Sequence, residues 1–382
     1  MIAFALPGGA PAAGRRRSAA ALLPAALQAA GDCGVTRLAD VTALDRIGLP
    51  VWQAIRPMSR ALSVHQGKGA TADDARLGAL LEAVESDHAE RFVADGPVAT
   101  HAALDPAERA PCLADFAAGG AIPADVPRRW AVMPDLIGGG RLHVPEDIVS
   151  LDLTTALDTG LDRSSTGLAC GADHDDTAAS ALREVIERDA FAEWHAAGLW
   201  AAMDSVIAPS TVPWRWFAAL DDHLADLGIV LRCYWLASVT GTPVTAVELN
   251  DLNRRERGLR AIHGTGCHHD PEIALWRAVT EAIQGRATLI AGAREDIGQH
   301  DHAPVAAGQV SLAFALPPPS GGIAWPQDAG HAGDLHSLAG RLADAGYRQA
   351  GVLTLGNPAG LHVVKAFVPG LGSLERRRRA AA

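Results

Sequence analysis

No run of about 18 apolar residues occurs anywhere in the 382-residue chain, so no transmembrane helix is encoded and no membrane partner is expected. A cleavable signal peptide is also absent. The first thirty residues are Ala/Pro-rich, but their arginines precede only a weak apolar stretch. The five cysteines (Cys33, Cys112, Cys170, Cys233 and Cys267) show no CxxC spacing, which excludes a structural zinc site and points to reduced thiols in the cytoplasm. Positive charge is in deficit: 33 Lys+Arg stand against 44 Asp+Glu, a net charge of −11, which argues against nucleic acid as the main partner. The two dense basic runs, Arg15–Arg17 and Arg376–Arg379, lie at the ends and are expected to be solvated. With 48% hydrophobic and 20% charged residues, the chain is globular and not a disordered or fibrous one.

Ala-rich helical patterns alternate with short β-branched runs, so the fold class is mixed α/β. Strands are expected at 61–66, 148–153, 229–234, 244–249, 260–263, 348–355 and 362–367. The expected organisation is a flexible Ala/Pro-rich segment over 1–34, one domain over 35–370 and a basic tail over 371–382. Within the domain, 95–129 and 303–333 lack sustained periodicity and are expected to be loop insertions.

One pattern occurs three times: a segment ending in glycines, a helix-start signal and a long Ala/Leu helix. Its copies begin at Gln66-Gly67-Lys68-Gly69, at Gly167-Leu168-Ala169-Cys170-Gly171 and at His263-Gly264-Thr265-Gly266. Thr71 with Asp74 resembles a capping box, and Asp270 before Pro271 is an N-cap followed by proline at the first helical position. Each helix carries a polar pair at i and i+3: Glu82 and Glu85, Glu184 and Glu187, Glu281 and Gln284. That spacing puts both members on one helical face, among Leu80, Val84, Leu182, Ile186, Val279 and Ile283. A single such pair is ordinarily a solvated surface pair; three in equivalent places suggest a shared pocket.

Carboxylates converging between helices repel unless a multivalent cation balances them, and oxygen ligands suit Mg²⁺ completed by phosphate oxygens. Glycine turns at helix starts suit the phosphates, with Lys68, Arg188 and Arg286 as charge-assisted contacts. The combination predicts a nucleoside triphosphate with more than one Mg²⁺. Gly67-Lys68-Gly69 lacks the GxxxxGK[ST] form, so the site is not of the Walker type.

The strings Gln66-Gly67-Lys68-Gly69-Ala70-Thr71, Glu82-Ala83-Val84-Glu85, Glu184-Val185-Ile186-Glu187-Arg188 and Thr280-Glu281-Ala282-Ile283-Gln284-Gly285-Arg286, with the entry Leu44-Asp45-Arg46-Ile47-Gly48-Leu49-Pro50, resemble the YcaO family. The resemblance spans about 35–297 and continues to about 369. It implies ATP- and Mg²⁺-dependent phosphorylation of a peptide backbone amide oxygen after a nucleophile adds to the carbonyl. A Cys, Ser or Thr side chain gives an azoline, sulfide gives a thioamide and an internal amine gives an amidine. By this resemblance Glu82, Glu85, Glu184 and Glu187 hold Mg²⁺, while Lys68, Asp176, Arg188, Glu281, Gln284 and Arg286 belong to the ATP site.

The chain departs from the family pattern at Ala172, Asp176 and Ser86, where Asn, Glu and Arg are usual. No Pro-x-Pro-x-Pro tail follows Val368-Pro369-Gly370, which makes the chain more like members that form thioamides with a TfuA-type partner than like azoline-forming ones. A precursor peptide or protein is then the substrate, and the Ala-rich helical surface offers a homodimer interface. The alternatives are an azoline-forming cyclodehydratase and a non-catalytic accessory protein that assists sulfur insertion or methylthiolation. No general base is evident. The His263, Cys267, His268, His269 group is bunched too tightly for structural zinc and is expected to be a polar loop. Cys170 and Cys267, beside glycine turns, are expected to be small buried hydrophobes rather than sulfur carriers.

Overall fold

The computed structural model describes residues 9, 11, 14 and 17–372, apart from 119–121, 156–159, 253–260, 299–320, 328–329 and 331–332. The expected basic tail beyond residue 372, most of the 303–333 insertion and part of the first segment lie outside the described residues, whereas Leu371, expected in the tail, is buried.

Three strand–turn–helix units build the site. They are β3 (Val64–Lys68) with α2 (Ala72–Glu90), β7 (Leu168–Gly171) with α4 (His174–Asp204), and β10 (Ile262–Cys267) with α6 (Pro271–Ala291). Each helix starts on a side-chain cap. Thr71 Oγ1 accepts from the Asp74 N–H, Asp173 from Asp176 and Asp270 from Glu272, each filling a donor that the first turn leaves open.

The described strands form four three-stranded antiparallel sheets. β3 pairs with β2 (Val51–Ile55), which pairs with β1 (Arg37–Asp40). β10 pairs with β9 (Val244–Asp251) and β9 with β8 (Ile229–Leu236). β7 pairs with β12 (His362–Phe367), itself paired with β11 (Gly351–Gly356). The fourth sheet joins β4 (Val98–Ala99), β5 (Arg128–Pro134) and β6 (Arg141–Pro145). The β8–β10 sheet is covered on both faces. Leu231, Cys233, Val247 and Leu249 pack on α6 and on α5 (Arg215–Asp226), while Tyr234, Val244, Ala246 and Cys267 pack on α4. The period-2 alternation of the strands makes this division.

Three glycines of the repeated pattern have a packing role. A Cβ on Gly67 would lie 1.9 Å from the Ala75 carbonyl oxygen, one on Gly264 2.2 Å from that of Ala278, and one on Gly266 2.1 Å from that of Ala274. These glycines face their own following helices and let strand and helix backbones touch.

Further differences concern the periphery. Ala19–Asp32 is a helix, α1, with Leu22, Leu23, Ala26, Ala29 and Ala30 buried, so a flexible segment does not extend over it. A strand at 148–153 is not formed; Glu146–Val149 is one helical turn, α3, and a short apolar run does not distinguish the two states. The 95–129 stretch is packed, since Leu104, Ala110 and Phe116 are buried with Trp130, Met133 and Leu142. His263 and Cys267 lie within β10 instead of a loop. Among the described residues, no helix is long and apolar enough to cross a membrane.

Candidate functional site

The acidic faces of α2, α4 and α6 converge on one crevice. Glu82 accepts a hydrogen bond from the Gln66 backbone N–H, and Glu85 Oε1 accepts from the Cys170 N–H at 2.7 Å on β7. Glu187, 3% exposed, accepts from Thr265 Oγ1 at 2.6 Å on β10, and the same hydroxyl lies 3.3 Å from Glu281 Oε1. Lys68 Nζ donates to Glu281 Oε2 at 3.2 Å. Arg188 bridges two helices, 3.8 Å from Glu184 and 4.0 Å from Glu281.

The electrostatics show the crowding. Burial, reinforced by Glu184, pushes Glu82 up to about 7. Burial also pushes Glu184 up to about 7, with Glu187 and Glu281 adding to it against the attraction of Arg188 and Lys365. Glu281 goes the other way: burial would raise it, but Lys68 and Arg188 outweigh burial and hold it at about 2. The donor set is carboxylate oxygen throughout, the chemistry of a hard divalent cation. No three of these carboxylates bring oxygens within 4.8 Å of one another. That spacing suits Mg²⁺ ions held by one or two side chains each and completed by phosphate oxygens, and the residues fit such ions.

A pH test follows. A carboxyl that keeps its proton to about pH 7 in the fold, but ionises near 4.5 when unfolded, binds extra protons only in the folded state across that window. Its contribution to stability is full below about pH 4.5 and is lost as pH rises through about 7. Buried His65, held down at about 4, works in the opposite direction in part of the same range, so a difference is needed. The melting temperature of Glu184→Gln minus that of wild type, in chelator without nucleotide, will rise as pH goes from 4.5 to 7.

Two expected ATP-site residues lie away from the acidic pairs. Arg286 does not reach the crevice. It is buried, with Nε 2.9 Å from Asp45 and Nη1 3.1 Å from Asp251. Five positions beyond Glu281 is about 140° around the helix, which turns its side chain to the opposite face. Asp176 sits in the first turn of α4, eight residues and about 12 Å before Glu184, where it interacts with Arg183. Gln284 is at the crevice edge and donates to Gln66 Oε1 at 3.3 Å. Of the departures, Ser86 is buried and donates to Glu90, which pairs with Arg56, while Ala172 packs against the α1–α2 core.

Lys365 on β12 went unnoticed in the sequence. It is 2% exposed and donates to the Ser164 carbonyl oxygen at 2.7 Å. Burial lowers it to about 8, against the attraction of Glu184 and Asp162. The chain has only two lysines, Lys68 and Lys365, and both border the acidic crevice; that scarcity was the available signal. Cys267 is 1% exposed and burial pushes its thiol up, as fits an inert small hydrophobe. The one group of three metal-type ligands that does converge among the described residues is Cys33, Asp87 and His88. There Asp87 is already paired with Arg56 at 2.7 Å and Arg91 at 2.8 Å, and burial pushes the thiol up to about 12.

A family model described as YcaO cyclodehydratase, ATP- and Mg²⁺-binding, matches residues 66–372. The chain belongs to the YcaO family. ATP and Mg²⁺, expected from the motifs, are the ligands of this family. An uncharacterized protein in the tfuA 3′ region of Rhizobium leguminosarum bv. trifolii is 34% identical over 272 residues, covering 69% of this chain and 64% of its own length. The protein Rv1375 of Mycobacterium tuberculosis is 34% identical over 270 residues, covering 69% and 59%. The chain thus spans under two thirds of these relatives. A Methanothermobacter thermautotrophicus protein is 31% identical over 366 residues, covering 90% and 92%. Among solved structures, YcaO from Methanopyrus kandleri bound with AMPPCP and Mg²⁺ matches with a TM-score of 0.70 at 20% identity, covering 94% of this chain and 92% of that one. The E. coli microcin synthetase McbBCD complex with pro-MccB17 bound matches with a TM-score of 0.62 at 16% identity, covering 87% of each. These likenesses show the mixed α/β fold to be that of YcaO proteins.

Proposed function

We propose that the protein activates a peptide backbone amide with ATP and converts it to a thioamide in the maturation of a ribosomally made peptide or protein. The observation that carries amide activation is the crevice itself, with carboxylates from three helices, two of them raised to about 7, faced by Lys68 and Arg188. Hydrosulfide adds to the carbonyl carbon, and the resulting oxyanion takes the terminal phosphoryl of ATP, releasing ADP. The C–O bond then breaks, phosphate leaves with the former amide oxygen and the sulfur proton, and C=S forms. Mg²⁺ held by Glu82, Glu85, Glu184 and Glu187 would neutralise charge on the transferring phosphoryl group. Lys68 and Arg188 hold Glu281 ionised and border the place where phosphates enter, with Gln284 at its edge.

Sulfide as the nucleophile is supported by the relative from the tfuA 3′ region, and with it a TfuA-type partner. A specific observation favours azoline formation as the second reading: the fold is shared with a heterocyclase solved with substrate and cofactor, TM-score 0.66 at 22% identity over 89% of this chain. Mass spectrometry of a candidate peptide substrate, incubated with the protein, a TfuA-type partner, Mg·ATP and sulfide, decides. Exchange of oxygen for sulfur is expected; loss of water establishes the cyclodehydratase instead. Mg·ATP alone is expected to raise the melting temperature by mass-action linkage, and no shift at saturation counts against the site.

A further inference from the structure

We infer that a small cavity beside the acidic crevice, with Lys365 and Arg188 in its wall, is the binding site of the nucleophile, hydrosulfide; this rests on the thioamide reading above. The cavity has about 30 Å³ of water-accessible space and lies between α4, β12 and the segments around Ser164 and Leu371. A water needs roughly 10–15 Å³ of such space, so the cavity holds about two or three heavy atoms and excludes a large side chain or a nucleotide.

Its lining has two characters. Lys365, Arg188, Ser164 and Thr166 are polar, whereas Val185 and Phe367 are apolar. Among the described residues, the Lys365 ammonium makes one hydrogen bond, to the Ser164 carbonyl oxygen, and no ion pair within 4.0 Å, which leaves two of its three N–H bonds without a partner there. A buried, incompletely satisfied cation against a partly apolar wall is costly unless an anion completes it. Asp162 in the same wall and Glu184 nearby bring negative charge, which disfavours a multiply charged anion more than a singly charged one. Hydrosulfide meets each requirement. It is one heavy atom, carries one charge and is soft and weakly hydrated, so it loses little in leaving water for a half-apolar wall. Val185 and Arg188 flank Glu187 and follow Glu184 on α4, so a nucleophile here waits next to the activating carboxylates.

Because the chain has two lysines, lysine labelled with ¹³C at Cε gives two signals in the full-length protein, assigned by Lys68→Met. Sodium hydrosulfide is expected to shift the Lys365 signal saturably and leave that of Lys68 in place; gluconate at equal ionic strength, an anion too large for the cavity, shifts neither. No shift, equal shifts of both signals, or an equal response to inorganic phosphate overturns the assignment. Anaerobic calorimetry is the second measure. Lys365→Met is expected to weaken hydrosulfide binding at least about tenfold, and unchanged affinity overturns the site. If Lys365→Met does not fold, the labelling result decides alone. Thioamide formed by a protein whose Lys365 ignores hydrosulfide sinks the cavity and spares the function. A saturable Lys365 shift in a protein that only removes water does the reverse.

Discussion

Glu187→Gln will lower peptide-dependent phosphate release from ATP by about 10²–10³-fold, because metal stabilisation of the transferring phosphoryl is worth several kcal/mol and each 1.36 kcal/mol is tenfold in rate. The substitution keeps the side chain's shape and its amide oxygen still accepts from Thr265 Oγ1, so the link between α4 and β10 persists. What it removes is one charge from a crevice where Glu184 and Glu281 already repel each other. The metal-free variant will therefore melt no lower than wild type, while its gain in melting temperature on adding Mg·ATP shrinks. Loss of activity together with a lower apo melting temperature would assign Glu187 to the framework and not to the metal.

Arg286→Met will lower stability by about 3–5 kcal/mol, because it strands buried Asp45 without its cation, while Asp251 keeps only Arg46 at 2.7 Å. The Asp45 and Arg286 side chains are 5% and 6% exposed, so water cannot replace the lost contacts cheaply. Denaturant unfolding checks the figure. If Arg286 instead held phosphate, the variant would keep its midpoint and lose affinity for ATP. The pairing ties three distant parts of the chain, the Leu44–Pro50 entry, the end of β9 and α6, and it gives the family-like entry motif a structural reason.

The site was legible wherever its logic was local. The i, i+3 pairs had to share helical faces whatever the fold, and Thr71 and Asp270 announced their helices because capping acts within one turn. The glycines were visible but their packing role was not, since their need for a missing Cβ arises from a helix backbone that only packing brings near. Arg286 looked equivalent to Arg188 in sequence, two and one positions beyond their pairs. The helical turn separates them, one to Asp45 and the other to the crevice. Phe116 and Leu104, in a stretch without periodicity, gave no sign of the layer they pack into.

The sequence by itself determined the three strand–turn–helix units, the acidic faces and the charge problem they create, since backbone hydrogen bonding and helical period are properties of neighbouring residues. Only the tertiary structure decided which cations answer those acids. Lys68 and Lys365 are about 300 residues apart, and their approach to one crevice depends on how β3, α4 and β12 stack around it. Coulomb interactions depend on distance in space, and no spacing along a chain encodes that distance.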